Sequence, residues 1–464
     1  MQGSNDLRAL CIFEDDRFPR FFPLTLDKPV FDLLIGTQTL LDRICAEVTH
    51  GGLSVICRDR LADAFSESAT ARRGGEAISV NAVPERETLF INGRLLAYGE
   101  ELPDLLAGLE TGEILEKNGV AVAARLPGET AAGFAAYLRS ALTDQHVERV
   151  MLHLRDLSAP QPKKKTGGEL PSGYGEKLTE WAAKTRVKVR QADVRLLSYV
   201  WQMIGENGPC LVDDFLKNPM RGMAPESALY RGVDLIREED IVIGPDVEVR
   251  SGTVLDASGG PVVIATGALI EPTAIIYGPC YIGEHAIVRG GAKIGHGTSI
   301  GASCRVGGEI GETIIAPCSN KQHEGFLGHS YIGSWVNIGA GSCNSDLKNN
   351  YGMIKAWSAG QTRDTGRRFL GFVCGAHAKI AINTRINTGT VIGYNANVFT
   401  DGFPPKFVPS FTWAIEPEFS EFDIEKAIET AGIMMDRRER AQTESQRELM
   451  RAIFRHCRLA QHNV

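Results

Sequence analysis

From Ile241 the chain reads IVIGPD (241–246), VEVRSG (247–252) and TVLDAS (253–258). After an inserted GGP it continues VVIATG (262–267), ALIEPT (268–273), AIIYGP (274–279), CYIGEH (280–285), AIVRGG (286–291), AKIGHG (292–297), TSIGAS (298–303) and CRVGGE (304–309). The third place of every unit is a large aliphatic residue: Ile243, Val249, Leu255, Ile264, Ile270, Ile276, Ile282, Val288, Ile294, Ile300 and Val306. The first place is mostly small, as in Ala268, Ala274, Cys280, Ala286, Ala292, Thr298 and Cys304. Successive side chains on a strand alternate in direction, so places one and three point the same way. One large and one small inward residue per unit fill a narrow shaft. Places four to six are rich in Gly, Pro, Asp and His, as a corner between short strands requires. So short a strand buries little alone, whereas stacked coils bury a continuous core; the period predicts a parallel β-helix and excludes a sandwich built from hairpins.

The period fails twice. It breaks between Gly307 and Tyr331, returns as YIGSWVNIGAG (331–341), breaks again between Ser342 and Phe372, and returns as AKIAINTRINTGTVIGYNANVF (378–399). Loops extruded from a rigid coil are where such scaffolds carry function. In the first break His323 has no apolar period to explain it, whereas His285 and His296 read as corner residues and His329 lies against the resuming strand.

Outward from the repeat, residues 8–160 hold short apolar runs among helical patterns: ALCIF (9–13), LSVIC (53–57), TLFING (88–93), GVAVAA (119–124) and VMLHL (150–154). That order predicts an α/β domain with a largely parallel sheet. KKKTGGELPSGYG (163–175) reads as a polar linker, and residues 176–236 as a helical connection. The expected division is 1–162, 163–236, 237–410 for the solenoid, and 411–464 for a charged helical tail with an apolar face.

Composition sets outer bounds. The 464 residues are 43% hydrophobic and 23% charged with a formal net charge of −7, and no long basic patch suits nucleic acid. The ten cysteines form no CxxC pair, which points to free thiols. The first residues lack the basic start and apolar run of a signal peptide, and no apolar stretch reaches membrane length; a cytoplasmic protein is expected.

Two local motifs carry a resemblance. SNKQHEGFLGHSYIGSWVNIGAGSCNSD (319–346) resembles the acetyltransferase stretch of the bifunctional glucosamine-1-phosphate N-acetyltransferase / N-acetylglucosamine-1-phosphate uridylyltransferase family, matching at His323, Leu327, Gly328 and Val336–Gly341. RFFPLTLDKPVFDLLIGTQTLLDRI (20–44) resembles the opening of sugar-1-phosphate nucleotidyltransferases, matching at Arg20, Pro23–Thr25, Lys28 and Pro29. The resemblance implies an α/β nucleotidyltransferase-like N-terminal domain followed by a left-handed parallel β-helix of hexapeptide repeats and a C-terminal helical tail. It further implies acetyl-CoA and UTP as co-substrates, an amino-sugar 1-phosphate as acceptor, Mg²⁺ for nucleotidyl transfer, and a homotrimer with acyl-CoA between neighbouring coils of two subunits.

On that resemblance His323 is the general base that takes the proton of the amino sugar before nitrogen attacks the thioester, work suited to an imidazole. An Asn after the VNIGAG strand would orient the base or substrate; Asn344 has the chemistry, Asp346 falls in the same window, and Asn337 holds the matching place inside VNIGAG. Lys321, Lys348 and Lys355 are candidate cations for the sugar phosphate, each equally readable as a solvated surface charge. Arg20 and Lys28 are candidate phosphate contacts of the N-terminal site, or simple braces of its turn. The chain also departs from the pattern. Phe326 stands where the family has a Tyr before Leu-Gly, CIFEDDRFPR (11–20) replaces the glycine-rich phosphate loop, and Arg94 stands where a metal-binding Asp is usual. Glu14, Asp15 or Asp16 could supply a replacement carboxylate, and a solvated acidic turn explains them equally. A three-histidine zinc site on the solenoid is the rival chemistry, but no paired ligand spacing supports it. Three readings follow: a bifunctional enzyme, a single-activity enzyme with one vestigial site, and a non-enzymatic scaffold.

Overall fold

The computed structural model describes residues 8–142, 173–223, 228–415 and 418–459; the expected strand VMLHL and the expected linker up to residue 172 lie outside them. The N-terminal apolar runs assemble into a seven-stranded sheet. Its spatial order is Lys188–Gln191, Glu113–Lys117, Val120–Leu126, Thr88–Asn92, Ala9–Phe13, Leu53–Ile56, Ser79–Val80. Only Val120–Leu126 runs against its neighbours, so the sheet is largely parallel, as the alternating pattern predicts. Strands of such a sheet are covered on both faces, and Ala9–Phe13 is buried at every residue.

The sheet extends past residue 162. The helix Gly173–Thr185 lays Trp181 against Phe134 and Tyr137, and Lys188–Gln191 pairs in register with Glu113–Glu116. The second half of the expected connection is a wedge. Helix Val200–Leu216 contacts the hairpin turn at Leu34–Ile35 on one side and the solenoid strands Cys280–Ile282 and Thr298–Ile300 on the other.

Among the described residues the solenoid has three sheets of eleven, six and nine strands, all parallel except the last strand of the first, Glu418–Glu421, which runs antiparallel to Thr412–Ile415. Val262 pairs with Cys280 and Cys280 with Thr298, so one coil consumes three hexapeptides. All eleven third-place aliphatics are buried in one cluster with the small first-place residues. The inserted GGP widens the first step, where Ile241 pairs with Val262. The corners use left-handed backbone at Asp246, His285 and Ser303, which explains His285 without chemistry. Coils begin before 237, with Ala228–Leu229 and Asp234–Ile236, and continue past 410, where Thr412–Ile415 pairs with Asn397–Phe399.

The three parts share one core. Tyr331, Tyr394 and Phe411 of the solenoid, Leu449, Ile453 and Phe454 of the tail, and Leu34, Ile35 and Phe65 of the N-terminal domain belong to a single buried cluster. Asn207 of the wedge accepts from the Gly36 N–H (2.7 Å) and donates to the Gly297 carbonyl and Ser299 Oγ (both 2.9 Å). The Tyr331 hydroxyl donates to the Leu34 carbonyl at 2.9 Å. The tail helix Glu444–Leu459 returns to the N-terminal helix Ala62–Arg72, where Thr443 and Ser445 donate to Glu67.

Candidate functional sites on the solenoid and the N-terminal turn

The first break in the sequence period is not an extruded loop: the coils run on through it, Glu309–Gly311 pairing with Phe326–Gly328 and Ile314–Ile315 with Tyr331–Ile332, and His323 lies in the corner that follows the strand Asn320–Lys321. Asn320–Lys321 pairs with Arg305–Val306, so Lys321 takes the inward place that Val306 fills one coil earlier. Its side chain is 2% exposed, and its ammonium donates to the carbonyls of Gly307 (3.0 Å) and His323 (2.5 Å). Burial pushes this amine down to about 8. Lys321 is therefore no solvent-facing phosphate contact, which corrects the expectation for it. It shapes the turn that presents His323. The His323 ring itself is exposed and makes no hydrogen bond or ion pair among the described residues.

Asn344 is 6% exposed, and both amide atoms are engaged by one residue: Oδ1 accepts from the Gly328 N–H (2.9 Å) and Nδ2 donates to the Gly328 carbonyl (3.0 Å). It braces the Leu-Gly strand and makes no hydrogen bond to His323. Asp346 faces a different histidine. His329 lies between two carboxylates, with Nδ1 2.8 Å from Asp346 and Nε2 2.6 Å from Glu312, and its ring stacks on Phe369 at 5.1 Å. Burial disfavours the imidazolium, but the hydrogen bonds to Asp346 and Glu312 outweigh it and raise its pKa to about 9. At neutral pH His329 is thus a cation with both nitrogens committed, a poor general base. Sequence reasoning passed over this constellation, although a signal exists: Glu312, His329 and Asp346 are each 17 residues apart, one coil per step.

Asn337 is exposed on its strand, Lys355 is exposed at the start of the hairpin Lys355–Asp364, and Lys348 donates to the Met353 carbonyl at 2.5 Å. All three remain on the surface, and none is joined to His323 by a hydrogen bond among the described residues. Among those residues no cluster of three His, Cys, Asp or Glu suits a metal ion.

The N-terminal turn is braced by buried ion pairs where the family has glycines. Glu14 receives Nε and Nη2 of Arg58 at 2.9 and 3.0 Å, and accepts from the Val30 N–H at 3.0 Å. Both partners are fully buried. Asp15 receives Nε of Arg94 at 2.9 Å, and Asn92 donates to it at 2.9 Å. Burial alone would raise the Asp15 pKa, but Arg94, Asn92 and the Arg17 N–H hold it below the usual carboxylate range. The arginine in the place of the metal ligand therefore reaches back to neutralise the turn's own acid.

Asp16 remains. Burial and the neighbouring Asp15 raise it to about 6, and Arg17, Arg94 and Arg20 lie around it. One carboxylate ringed by guanidinium groups repels a divalent cation. The residues present do not fit Mg²⁺.

Lys28 is half-buried. Its amine donates to Ser334 Oγ at 3.3 Å, across the seam between the N-terminal domain and the solenoid. Arg20 sits over the Tyr199 ring at 5.3 Å, with its carbonyl accepting from Ser358 of the solenoid hairpin at 3.1 Å.

Residues 10–218 match the family model described as sugar nucleotidyl transferase. The "Bifunctional protein GlmU" of Anaplasma marginale (strain Florida) is 28% identical over 193 residues, which is 40% of this chain and 41% of that protein. The protein of the same name from Desulfitobacterium hafniense (strain DSM 10664 / DCB-2) is 32% identical over 180 residues, 38% of this chain and 33% of that one. Over these stretches the chain is similar to the bifunctional GlmU proteins. A "Bifunctional sugar-1-phosphate nucleotidylyltransferase/acetyltransferase" of Sulfurisphaera tokodaii is 30% identical over 159 residues, covering 34% of this chain and 35% of that protein. The chain thus aligns with less than half the length of these relatives.

Proposed function

We propose that this chain is a bifunctional transferase of sugar-nucleotide synthesis, which acetylates an amino-sugar 1-phosphate on the solenoid and transfers a uridylyl group from UTP in the N-terminal domain. One observation carries the reading. A stretch that matches the sugar nucleotidyl transferase model and a hexapeptide solenoid with an exposed, unencumbered histidine at one corner stand on one chain.

At the solenoid, the His323 imidazole removes a proton from the substrate ammonium. The freed amine attacks the thioester carbonyl of acetyl-CoA, the C–S bond breaks, and the CoA thiolate takes up a proton on leaving. Lys321 keeps the corner in shape, Asn344 fixes the adjoining strand, and Asn337, Lys348 and Lys355 supply surface contacts for the sugar phosphate. Phe326 packs by its ring alone, so the amino sugar is gripped without a hydroxyl at that point. The assembly is a homotrimer with acyl-CoA between coils of neighbouring subunits, acting in the cytoplasm; among the described residues no helix is long and apolar enough to cross a membrane. Arg20 belongs to the phosphate-binding side of the N-terminal domain.

Two assays on the full chain test this: pyrophosphate release from UTP with N-acetylglucosamine-1-phosphate, and CoA release from acetyl-CoA with glucosamine-1-phosphate. Activity in both supports the bifunctional reading. Activity in one alone replaces it with a single-activity enzyme, and silence in both returns the chain to a scaffold.

A further inference from the structure

The second break in the solenoid period leaves the coil after Asn344, crosses to the N-terminal domain, and folds there as the antiparallel hairpin Lys355–Ser358 and Gln361–Asp364. Ser358 is 1% exposed and holds the Arg20 carbonyl, so the hairpin is fixed against the short turn Phe18–Phe21. Its return limb lays the Arg367 guanidinium over Gly205 of the wedge helix, where even a Cβ would lie within 2.0 Å of Nη2.

This docking brings two arginines from distant sequence to one ring. Arg20 lies 5.3 Å and Arg363 5.8 Å from the centre of Tyr199, which is itself stacked on Trp201 at 4.4 Å. Stacking satisfies the faces of the guanidinium groups but not their N–H donors. Arg20 Nε and both Nε and Nη2 of Arg363 are buried without a hydrogen-bond partner, and neither arginine forms an ion pair among the described residues. Buried donors are nearly always satisfied in a native protein, so several on neighbouring cations call for an acceptor that the chain does not provide. Burial and the positive charges of Arg17, Arg94 and Arg363 also lower the Arg20 pKa. Arg94 is consumed by Asp15, and Arg17 and Arg20 share the single carboxylate of Asp16, so the positive charge gathered here exceeds the negative and Arg363 has no ion-pair partner among the described residues.

We infer that Arg20 and Arg363, with Arg17 beside them, form a phosphate-binding site shared by the N-terminal domain and the solenoid hairpin, which holds the phosphate chain of a nucleotide without a divalent cation. Guanidinium forks match phosphate oxygens two at a time and remain charged when partly buried, so they supply the charge that a metal ion would otherwise bring. The choice of nucleotide rests on the uridylyl-transfer reading; the phosphate chemistry does not.

The test is isothermal titration of the full chain with UTP, and separately with inorganic tripolyphosphate, in excess EDTA. Both probes bind the wild type, and Arg363→Gln weakens both at least tenfold while CoA release on the solenoid continues. Should Arg363→Gln fail to fold, Arg363→Lys keeps the charge and loses the fork, and a several-fold weakening is expected. Binding that appears only with Mg²⁺, binding of UTP but not tripolyphosphate, or equal affinity in a folded Arg363 variant overturns the site. Tripolyphosphate binding without pyrophosphate release from UTP keeps the site and removes the uridylyl-transfer reading. Pyrophosphate release with unchanged affinity in Arg363→Gln does the reverse.

Discussion

Two histidines six residues apart have opposite physical states. His323 is exposed at a solenoid corner whose root is the buried Lys321 ammonium, and its ring makes no hydrogen bond or ion pair among the described residues. His329 is clamped by Glu312 and Asp346 and already carries a proton. His323→Ala is therefore expected to lower the rate of acetyl transfer by about 10²–10⁴-fold, the usual contribution of a general base, with the melting temperature unchanged. Retained activity in the variant would move the base elsewhere. His329→Asn is expected to act on stability instead. Its pKa rises from 6.5 to about 9 on folding, so the folded state binds the proton more tightly. The stabilisation is complete below about pH 6.5 and disappears as the pH rises through 9. The groups facing this ring are Glu312, Asp346 and Phe369, with His296 reaching Glu312 at 3.2 Å. Melting curves of wild type and variant from pH 6 to 10 should differ most at the acid end and converge above 9; a constant difference would refute the clamp. The lapse of the period around His323 was legible, but its meaning was not: shortened coils replace the expected extruded loop, and their strands still stack in register. Nor was the burial of Lys321, since the hexapeptide spacing lapses at that point and a lysine reads as a surface charge.

Elements show the same division between local and distant signals. The strands and coils were legible because alternation and the six-residue period are local patterns, and each inward aliphatic lies where that period puts it. The bracing of the N-terminal turn was not legible. Glu14 meets Arg58 and Asp15 meets Arg94 across gaps of 44 and 79 residues, and no short window of sequence joins them. The acids of this turn read as a source of one replacement carboxylate or as a solvated turn, but the fold buries them and spends two on arginines brought by neighbouring parallel strands. Glu14→Gln tests the bracing. It leaves the fully buried Arg58 without its carboxylate, a loss of about 3–5 kcal/mol in a broken buried pair. Chemical denaturation should show that drop with the slope unchanged. A variant as stable as the wild type would mean that the Lys28 carbonyl, 3.0 Å from Arg58 Nη2, and stacking on Phe18 suffice to hold the cation.

At the scale of the whole molecule the sequence suggested separate domains on a linker, whereas the structure shows one seam filled with buried groups. The reason is that the wedge helix serves both sides. Asp214 accepts from the Thr37 N–H and hydroxyl at 2.8 and 3.0 Å and receives Arg43 at 2.6 Å, while Asn207 two turns earlier joins Gly36 to Gly297 and Ser299. The tail then closes the far side by packing Leu449, Ile453 and Phe454 into the same core. Parts that share a core lose it together, so far-ultraviolet dichroism, dominated by all the backbone, and tryptophan fluorescence should report one coincident transition. Asn207→Ala is the sharpest probe of this coupling. It strips the Gly36 N–H and the Gly297 carbonyl of their partner in a position that is 0% exposed, at roughly 1–3 kcal/mol for each orphaned group. If the seam is one cooperative unit, the variant unfolds earlier by both probes and the two curves still coincide. If the domains merely touch, the variant splits them: the N-terminal transition moves, the solenoid transition stays, and the hairpin that carries Arg363 separates from Arg20 before either domain has melted.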